Sequence, residues 1–324
     1  MPPLKIERVN RDCTDEQGLW QPDGTHRGNR RLRPDGMYPV RGNRHRSTWF
    51  YVFNSLVAFR MNQPLETQML STLLQFPPRE SAYRRKFLNN TDENLFMGSF
   101  DSFAAAEAGA PPSKAVGYAN ADAGELYSPQ IYFYDYPGLF WLGRSIDAGM
   151  TRVFDLGGHV GIKYYAFRRV LSYPEDLHWT VCDVPGVVDS GRAMAIKREA
   201  TAQLDFTTDY RDASGCDVLY ASGSLQYLPT RMEEILSALH VKPKRIIMNT
   251  TAVHPERTIF TLNSIGVAVC PYRIQHHDDL LAELARAGYK KRDVWRNEGK
   301  PIEVPFVAGG DKPYYAGCCF DLAA

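Results

Sequence analysis

Residues 153–161 read Val-Phe-Asp-Leu-Gly-Gly-His-Val-Gly, and this stretch decides the fold class. Apolar residues run into an acid, a glycine-rich turn follows, and a helix-like segment begins near Ile162. This order predicts a strand, a tight turn and a helix N-terminus, the arrangement that nucleotide-containing cofactors use. Glycines suit such a turn because a Cβ atom there would keep the backbone away from a ligand. The stretch therefore predicts a cofactor site, although glycines that only pack a strand–helix turn would give the same pattern.

The spacing of the glycines separates two classes of cofactor. A dinucleotide fingerprint requires Gly-x-Gly-x-x-Gly, and Leu156 stands where the first of these glycines belongs. Asp155, Gly157 and Gly161 instead give Asp-x-Gly-x-x-x-Gly, the spacing of S-adenosylmethionine enzymes. We therefore expect S-adenosylmethionine as the cofactor and S-adenosylhomocysteine as the product.

A second acid supports this interpretation. Residues 178–183 form a short β-rich run that ends in Asp183, about 28 residues after Asp155, the length of one crossover helix plus a strand. An acid at the end of the second strand can accept hydrogen bonds from both ribose hydroxyls. The alternative is a helix cap for the segment that starts near Val187.

Strand-like and helix-like segments alternate through the rest of the chain. Amphipathic helices are predicted at residues 230–240 and 277–287. Further strands are predicted at residues 202–206, 217–221, 245–249, 290–295 and 314–322. This alternation predicts an α/β fold with a parallel, doubly wound sheet.

Three motifs follow one another in an order that resembles a known family. They lie at residues 153–165, 179–185 and 217–228, and the last contains Leu-Gln-Tyr-Leu. In this order the chain resembles a group of bacterial class I S-adenosylmethionine-dependent methyltransferases, over roughly residues 98–320. The resemblance implies a Rossmann-like fold with a seven-stranded, mostly parallel sheet. It also implies a role in bacterial secondary metabolism or saccharide biosynthesis.

The sequence departs from that family at two places near the expected site. His159 stands where a small residue is common, and Asn-Thr-Thr at 249–251 replaces an Arg-Thr-Pro type of sequence. These differences leave the cofactor prediction intact, but they leave the methyl acceptor open.

The cofactor roles follow from the predicted strand ends. Gly157, Gly158 and Gly161 are expected beside the amino-acid part of the ligand, and Asp155 beside its ammonium group. Asp183 is expected to hold the ribose. Three further residues are assigned to the adenine, with Asp209 at its amino group and Phe206 or Tyr210 against its ring. Ser222, Gly223 and Ser224 are expected near the transferred methyl group.

Candidates for catalysis and acceptor binding are fewer. A methyl transfer to oxygen needs a base, and histidine is the usual one near neutral pH. His254 is the preferred base and His159 its rival, while Tyr227 could orient the acceptor. The acceptor-binding candidates are Tyr134, Gln226 and Arg273.

Composition is that of a soluble enzyme. The 324 residues carry 38 Lys and Arg against 37 Asp and Glu, so no basic excess points to nucleic acid. No stretch approaches the ~20 apolar residues of a membrane span. The six cysteines contain no Cys-x-x-Cys pair, and no metal is expected. These features predict a cytoplasmic protein with a small-molecule acceptor.

The chain is expected to have three parts. Residues 1–46 are predicted as a basic, turn-rich arm, and residues 47–145 as a mainly helical segment that serves as a lid or a dimerisation surface. Residues 146–324 are predicted as the S-adenosylmethionine-binding domain.

The functional hypothesis is methyl transfer to a small molecule, with oxygen as the accepting atom. Three alternatives remain open: a non-catalytic S-adenosylmethionine-binding scaffold, a nicotinamide-dependent oxidoreductase, and a nucleic-acid methyltransferase that uses the arginine-rich arm.

Overall fold

The computed structural model describes residues 78–112, 115–116, 130–266, 268–307 and 310–323. The arm predicted for residues 1–46, and residues 47–77 of the predicted helical segment, lie outside the described residues. Among the described residues, no helix has both the length and the apolar character that a membrane crossing requires.

The described residues contain seven α-helices, three short 3-10 helices and eleven strands. The helices are α1 (Pro78–Leu88), α2 (Phe103–Ala108), α3 (Tyr136–Asp147), α4 (Ile162–Phe167), α5 (Pro185–Lys197), α6 (Met232–Ser237) and α7 (His277–Arg286). The first six strands are β1 (Leu95–Phe100), β2 (Ala115–Val116), β3 (Arg152–Leu156), β4 (His178–Cys182), β5 (Leu204–Thr207) and β6 (Val218–Ser222). The other five are β7 (Arg245–His254), β8 (Ile259–Ser264), β9 (Ala268–His276), β10 (Tyr289–Asn297) and β11 (Tyr314–Leu322).

The central sheet is doubly wound. Its parallel strands lie in the order β5-β4-β3-β6-β7, so the winding reverses between β3 and β6. The hairpin of β10 and β11 closes the sheet, with β11 antiparallel to β7. In open α/β sheets, ligands bind beyond the carboxyl ends of the strands at such a reversal. The glycine-rich turn follows β3 and therefore lies at this point.

Among the described residues the sheet has eleven strands, four more than the seven predicted. The four additional strands are β1, β2, β8 and β9. Strand β9 pairs with β8 and, through Val253 and His254, with the far end of β7. Strand β6 pairs with β7 only as far as Asn249. Beyond that residue, β9 pairs with the same edge of β7. The additional strands thus extend past the carboxyl edge of the parallel sheet, on the side where ligands bind.

Helices cover both faces of the parallel sheet. Along β7, Ile246 and Met248 pack with α6 and α7, while Ile247 packs with α3, α4 and α5. Trp179 of β4 is fully buried on the second of these faces. Successive side chains of a strand point to opposite faces of the sheet, and helices cover both faces. Apolar residues are therefore needed at almost every position, so these strands are nearly continuous apolar runs.

The described part of residues 47–145 contains more than helices. It includes α1, α2 and the start of α3, but two strands also lie there: β1 pairs antiparallel with β8, and β2 pairs parallel with β9. Ser102 caps α2 by accepting a hydrogen bond from the Ala105 N–H. This segment therefore contributes two strands to the sheet as well as helices beside it.

Candidate active site

The glycine-rich turn fits closely between its neighbours. Gly157 has φ 72° and Gly161, the N-cap of α4, has φ 85°, so both adopt the left-handed conformation that favours glycine. A Cβ atom on Gly157 would collide with Ser224, and one on Gly158 would collide with the Asp155 carboxylate. The Ser224 hydroxyl donates to the Leu156 carbonyl and joins the turn to the loop after β6.

Alanine at Gly158 tests this packing. We expect Gly158→Ala to lower the free energy of unfolding by about 1–3 kcal/mol, because the added methyl group overlaps a buried carboxylate. Thermal unfolding measures the loss. Gly186→Ala is the matched control, since a Cβ there meets nothing within 4 Å, and in α5 it should stabilise by about 0.5–1 kcal/mol. Equal melting temperatures for the two variants would contradict the packing described.

Asp155 is a buried carboxyl group at the end of β3. It is 1% exposed, and burial raises its pKa to about 7. The Trp179 indole Nε1 donates to Asp155 Oδ2 over 3.2 Å, and this bond and the charge of Lys163 oppose the shift. A carboxyl with this pKa changes charge near neutral pH, so a cationic ligand group beside it would favour the ionised form.

Asp183 extends from the end of β4 toward the same turn. Its Oδ2 accepts the His159 backbone N–H over 2.9 Å, and its Oδ1 accepts the Val184 N–H over 2.8 Å. Burial raises the pKa of this carboxyl, and the two N–H groups oppose the shift. Each oxygen of a carboxylate can accept two hydrogen bonds, so both retain capacity for a ligand.

Two cavities meet at the turn. Cleft A has a volume of about 390 Å³ and lies between the turn, the loop after β6, helix α2 and strand β9. Its described lining residues are Phe103, Glu107, Gly157, His159, Asp183, Val184, Gly223, Ser224, Tyr227, Leu228, Pro229, Cys270 and Pro271. The additional strands therefore supply a wall of this cleft.

Cleft B lies on the other side of the turn and has a volume of about 290 Å³. It shares Gly157, His159 and Gly223 with cleft A. Its other described lining residues are Gln130, Tyr132, Tyr134, Asp135, Asp155, Gly158, Ile162, Lys163, Ser222, Thr250 and Lys300. The two clefts are thus arranged around one backbone segment.

Two asparagines fix the aromatic wall of cleft B. The Tyr134 carbonyl accepts from Asn249 Nδ2 over 3.0 Å and from Asn297 Nδ2 over 2.9 Å. Asn249 Oδ1 in turn accepts from Trp295 Nε1 and from Asn297. This network joins the turn before α3 to β7 and β10, so two distant segments of the chain position Tyr134.

Most of the residues predicted for the cofactor lie at these clefts. Asp155, Gly157, Gly158, Asp183, Ser222, Gly223 and Ser224 line one cleft or both, as do His159, Tyr227 and Tyr134. Gly161 starts α4 behind the turn and packs against Leu204 and Tyr165. The Tyr227 hydroxyl donates to Asn263 Oδ1 over 2.8 Å, and its ring packs edge-on against Tyr272.

The three residues predicted for adenine lie elsewhere. Phe206 is 3% exposed and fills the core beneath α5, where Gly191 leaves room for its ring. The Asp209 carboxylate pairs with Arg211 at the surface. Tyr210 packs against the hydrophobic core on the α6–α7 face. Among the described residues neither cleft includes any of the three in its lining, and their assignment to adenine stays a prediction.

Three other predicted site residues form hydrogen bonds within the fold, namely His254, Gln226 and Arg273. His254 is 1% exposed at the end of β7, and its Nδ1 accepts the Glu256 N–H over 3.0 Å. Gln226 Nε2 donates to the Gly223 and Thr250 carbonyls and so holds the loop after β6. The buried Arg273 donates to the carbonyls of residues 225, 229 and 230. It lines a neighbouring cavity beside α7 that shares Phe103 and Pro229 with cleft A. None of the three lines cleft A or cleft B itself, and their assignment as base and acceptor ligands stays a prediction.

Several lining residues were not predicted from the sequence, and four of those in cleft B are Asp135, Lys163, Thr250 and Lys300. Asp135 is fully buried and forms an ion pair with Lys163 at 2.7 Å, while Thr250 and Lys300 come from β7 and from the segment after β10. Lys163 lies two residues after Gly161, and Thr250 lies in the Asn-Thr-Thr stretch that departs from the family pattern. Asp135 and Lys300 carry no local signal, because they join the site only through the folded sheet.

Comparison with known proteins gives distant structural likenesses. No family model matches the chain, and no curated protein matches it. A magnesium protoporphyrin IX methyltransferase from Synechocystis PCC 6803 with bound SAM shares 13% identity at a TM-score of 0.38, covering 60% of this chain and 86% of that one. A 1,6-didemethyltoxoflavin-N1-methyltransferase from Burkholderia thailandensis with bound S-adenosylhomocysteine shares 15% at 0.39, covering 59% and 79%. A mitomycin 7-O-methyltransferase shares 14% at 0.36, covering 58% of this chain and about half, 54%, of the other. Likenesses at these values assign no activity to this chain.

Proposed function

We propose that the protein is an S-adenosylmethionine-dependent methyltransferase that acts on a small molecule. The observation that carries this proposal is the pairing of two acids with a glycine turn at the reversal of the sheet. Asp155 ends β3, Asp183 follows the neighbouring strand β4, and the turn between them borders both clefts. A ribose diol, an amino group and a carboxylate are the polar groups such a site can hold.

The residues present fit this cofactor. The Asp183 carboxylate would hold the ribose hydroxyls in cleft A, and Asp155 would accept from the ammonium group in cleft B. Gly157 and Gly158 leave space where a Cβ atom would fill the turn, so their backbone can approach a ligand closely. Val184 and Leu228 line cleft A and would supply apolar surface for the adenine there.

The cofactor, when bound, supplies an electrophilic methyl group, so the protein has mainly to position a nucleophile. For an oxygen acceptor, His159 is the predicted histidine that borders both clefts, and we assign it as the base. Burial raises the pKa of the Tyr134 hydroxyl to about 12, so this group is neutral near pH 7 and orients rather than removes a proton. Oxygen-containing intermediates of bacterial secondary metabolism or saccharide biosynthesis are the acceptor class that we propose.

The pH dependence of ligand binding follows from Asp155. Its pKa of about 7 means that it is mostly neutral at pH 6 and mostly ionised at pH 8. Because the ligand ammonium favours the ionised carboxylate, we expect the affinity for S-adenosylhomocysteine to rise about tenfold between these pH values. Titration calorimetry in matched buffers measures it. Asp155→Asn should bind more weakly at pH 8 and lose this dependence; an unchanged pH profile in the variant would contradict the assignment.

The activity itself is tested with methyl-labelled S-adenosylmethionine and a panel of small hydroxylated acceptors. We expect label in a small-molecule product and formation of an equal amount of S-adenosylhomocysteine. Tight binding of S-adenosylmethionine without product from any acceptor would favour the scaffold alternative instead.

A further inference from the structure

Among the described residues, cleft B contains one lysine whose positive charge is not compensated by an ion pair. Lys163 Nζ lies 2.7 Å from Asp135 Oδ1, and both side chains are largely buried, so these two charges compensate each other. Lys300 also lines the cleft, and no carboxylate oxygen of the described residues lies within 4 Å of its Nζ. The remaining acid of the cleft, Asp155, is the one assigned to the cofactor ammonium.

Aromatic rings hold the Lys300 ammonium in place. Its Nζ lies 4.7 Å from the centroid of the Tyr315 ring and 5.6 Å from that of Tyr134. Burial and the nearby charge of Lys163 lower the pKa of Lys300. Cation–π contacts offset part of the cost of removing an ammonium from water, but they leave its hydrogen-bond donors available. An anion in the cleft would complete the site.

Thr250 provides a second, independent sign of a ligand. It is 3% exposed and lines cleft B, and its Oγ1 has no hydrogen-bond partner in the structure. Its backbone has φ 52°, an unfavourable conformation for a β-branched residue, and its N–H donates to Asn297 Oδ1 over 3.2 Å. A buried hydroxyl without a partner costs free energy unless a ligand satisfies it.

The wall of the cleft is suited to a flat group. The rings of Tyr132 and Tyr134 stack with centroids 5.1 Å apart and an interplanar angle of 10°. Tyr132 is 41% exposed, so its ring leaves aromatic surface open beside the cleft. Aromatic surface of this kind favours an aromatic ring over a flexible polar chain.

We propose that Lys300 and Thr250 bind a carboxylate carried by an aromatic acceptor, whose ring lies against the tyrosine wall of cleft B. This inference rests on the proposed function, because it names the acceptor of that reaction. The carboxylate of the cofactor's own amino-acid part has the same chemistry, and the experiment separates the two sources.

Titration calorimetry of three variants tests the proposal. Lys300→Met removes the charge, Lys300→Arg keeps it, and Lys290→Met on the exposed face of β10 is the matched control for net charge. Each protein is titrated with S-adenosylhomocysteine and with 5′-methylthioadenosine, which lacks the amino-acid part. Each is then saturated with S-adenosylhomocysteine and titrated with 4-hydroxybenzoate and with the neutral 4-hydroxybenzamide.

We expect the wild type and Lys290→Met to prefer the carboxylate over the amide by about tenfold or more, the effect of one charge-assisted hydrogen bond. Lys300→Met should lose this preference, Lys300→Arg should retain part of it, and all four proteins should bind S-adenosylhomocysteine equally. If Lys300→Met weakens S-adenosylhomocysteine but not 5′-methylthioadenosine, the lysine binds the cofactor carboxylate and the inference is overturned. No carboxylate preference in the wild type overturns it as well. If the wild type does not bind S-adenosylhomocysteine, the proposed function fails, and that result is read before any acceptor is added.

Discussion

Asp183→Ala is expected to weaken the binding of S-adenosylhomocysteine by about 100-fold or more. The carboxylate lies at the border of cleft A, and its two oxygens retain acceptor capacity for the two ribose hydroxyls. A hydrogen bond to a charged group contributes about 1.5–3 kcal/mol, so the loss of two such bonds exceeds the loss from any other single residue of the site. Titration calorimetry at pH 8 measures the affinity.

Two variants control this result. Asp183→Asn keeps an acceptor for the His159 N–H but removes the charge, so it should fall between the wild type and Asp183→Ala. Asp189→Ala removes an exposed acid from α5, six residues further on, and should bind as the wild type does. If Asp183→Ala has a melting temperature near that of the wild type and still binds normally, the ribose assignment is wrong.

Lys163→Met is expected to lower the free energy of unfolding by about 3–5 kcal/mol. Asp135 is fully buried, and removal of its partner would leave a carboxylate without compensation inside the protein. Asp135 Oδ2 also accepts the Tyr132 N–H over 3.0 Å, so its displacement would disturb the turn before α3. Urea unfolding followed by circular dichroism measures the change.

Lys86→Met is the matched control for Lys163→Met. Lys86 pairs with Glu93 at the same 2.7 Å, but both side chains are about half exposed, at 51% and 50%. An exposed pair of this kind contributes only about 0–1 kcal/mol. The double variant Lys163→Met with Asp135→Asn should recover much of the lost stability, because it removes the uncompensated charge. A loss in Lys163→Met no larger than that in Lys86→Met would contradict the account of this ion pair.

The central sheet could be predicted because its signals are local. The parallel strands are short and largely apolar, and helices separate all of them except β5 and β6, which a short 3-10 turn joins, so the chain itself carries most of the α/β alternation. Strands β1, β8 and β9 carry no such regular spacing. Their places depend on pairings between residues 95–100 and residues 259–264, which are far apart in the sequence. Sequence patterns do not report such distant pairings.

The same difference between local signals and long-range contacts explains which site residues could be predicted. Asp155, Gly157 and Asp183 could be predicted because they end strands that share one edge of the sheet. The sequence did not show that Phe206 faces the core, because the direction of a side chain near a strand end depends on the register. Nor did it show that β7 runs for ten residues, beyond the expected end at 249, which places His254 within the ladder to β9.

The acceptor side of the site depends on three-dimensional contacts alone. Thr250 and Lys300 come from separate parts of the chain, and the Asn297–Thr250 hydrogen bond is what joins those parts. Thr250 lies in the Asn-Thr-Thr stretch at 249–251, but this departure from the family pattern does not show that its hydroxyl is buried. Lys300 belongs to no motif. Their proposed role in binding a carboxylate follows from burial, from the unsatisfied Thr250 hydroxyl and from the uncompensated charge of Lys300. Only the folded chain shows these properties.

Titration calorimetry of the wild-type protein with S-adenosylhomocysteine, beside NAD as the competing cofactor class, decides which cofactor the glycine turn binds. We expect micromolar binding of S-adenosylhomocysteine with one site per chain and no binding of NAD. Binding of NAD alone, or of neither compound by a folded protein, would contradict it.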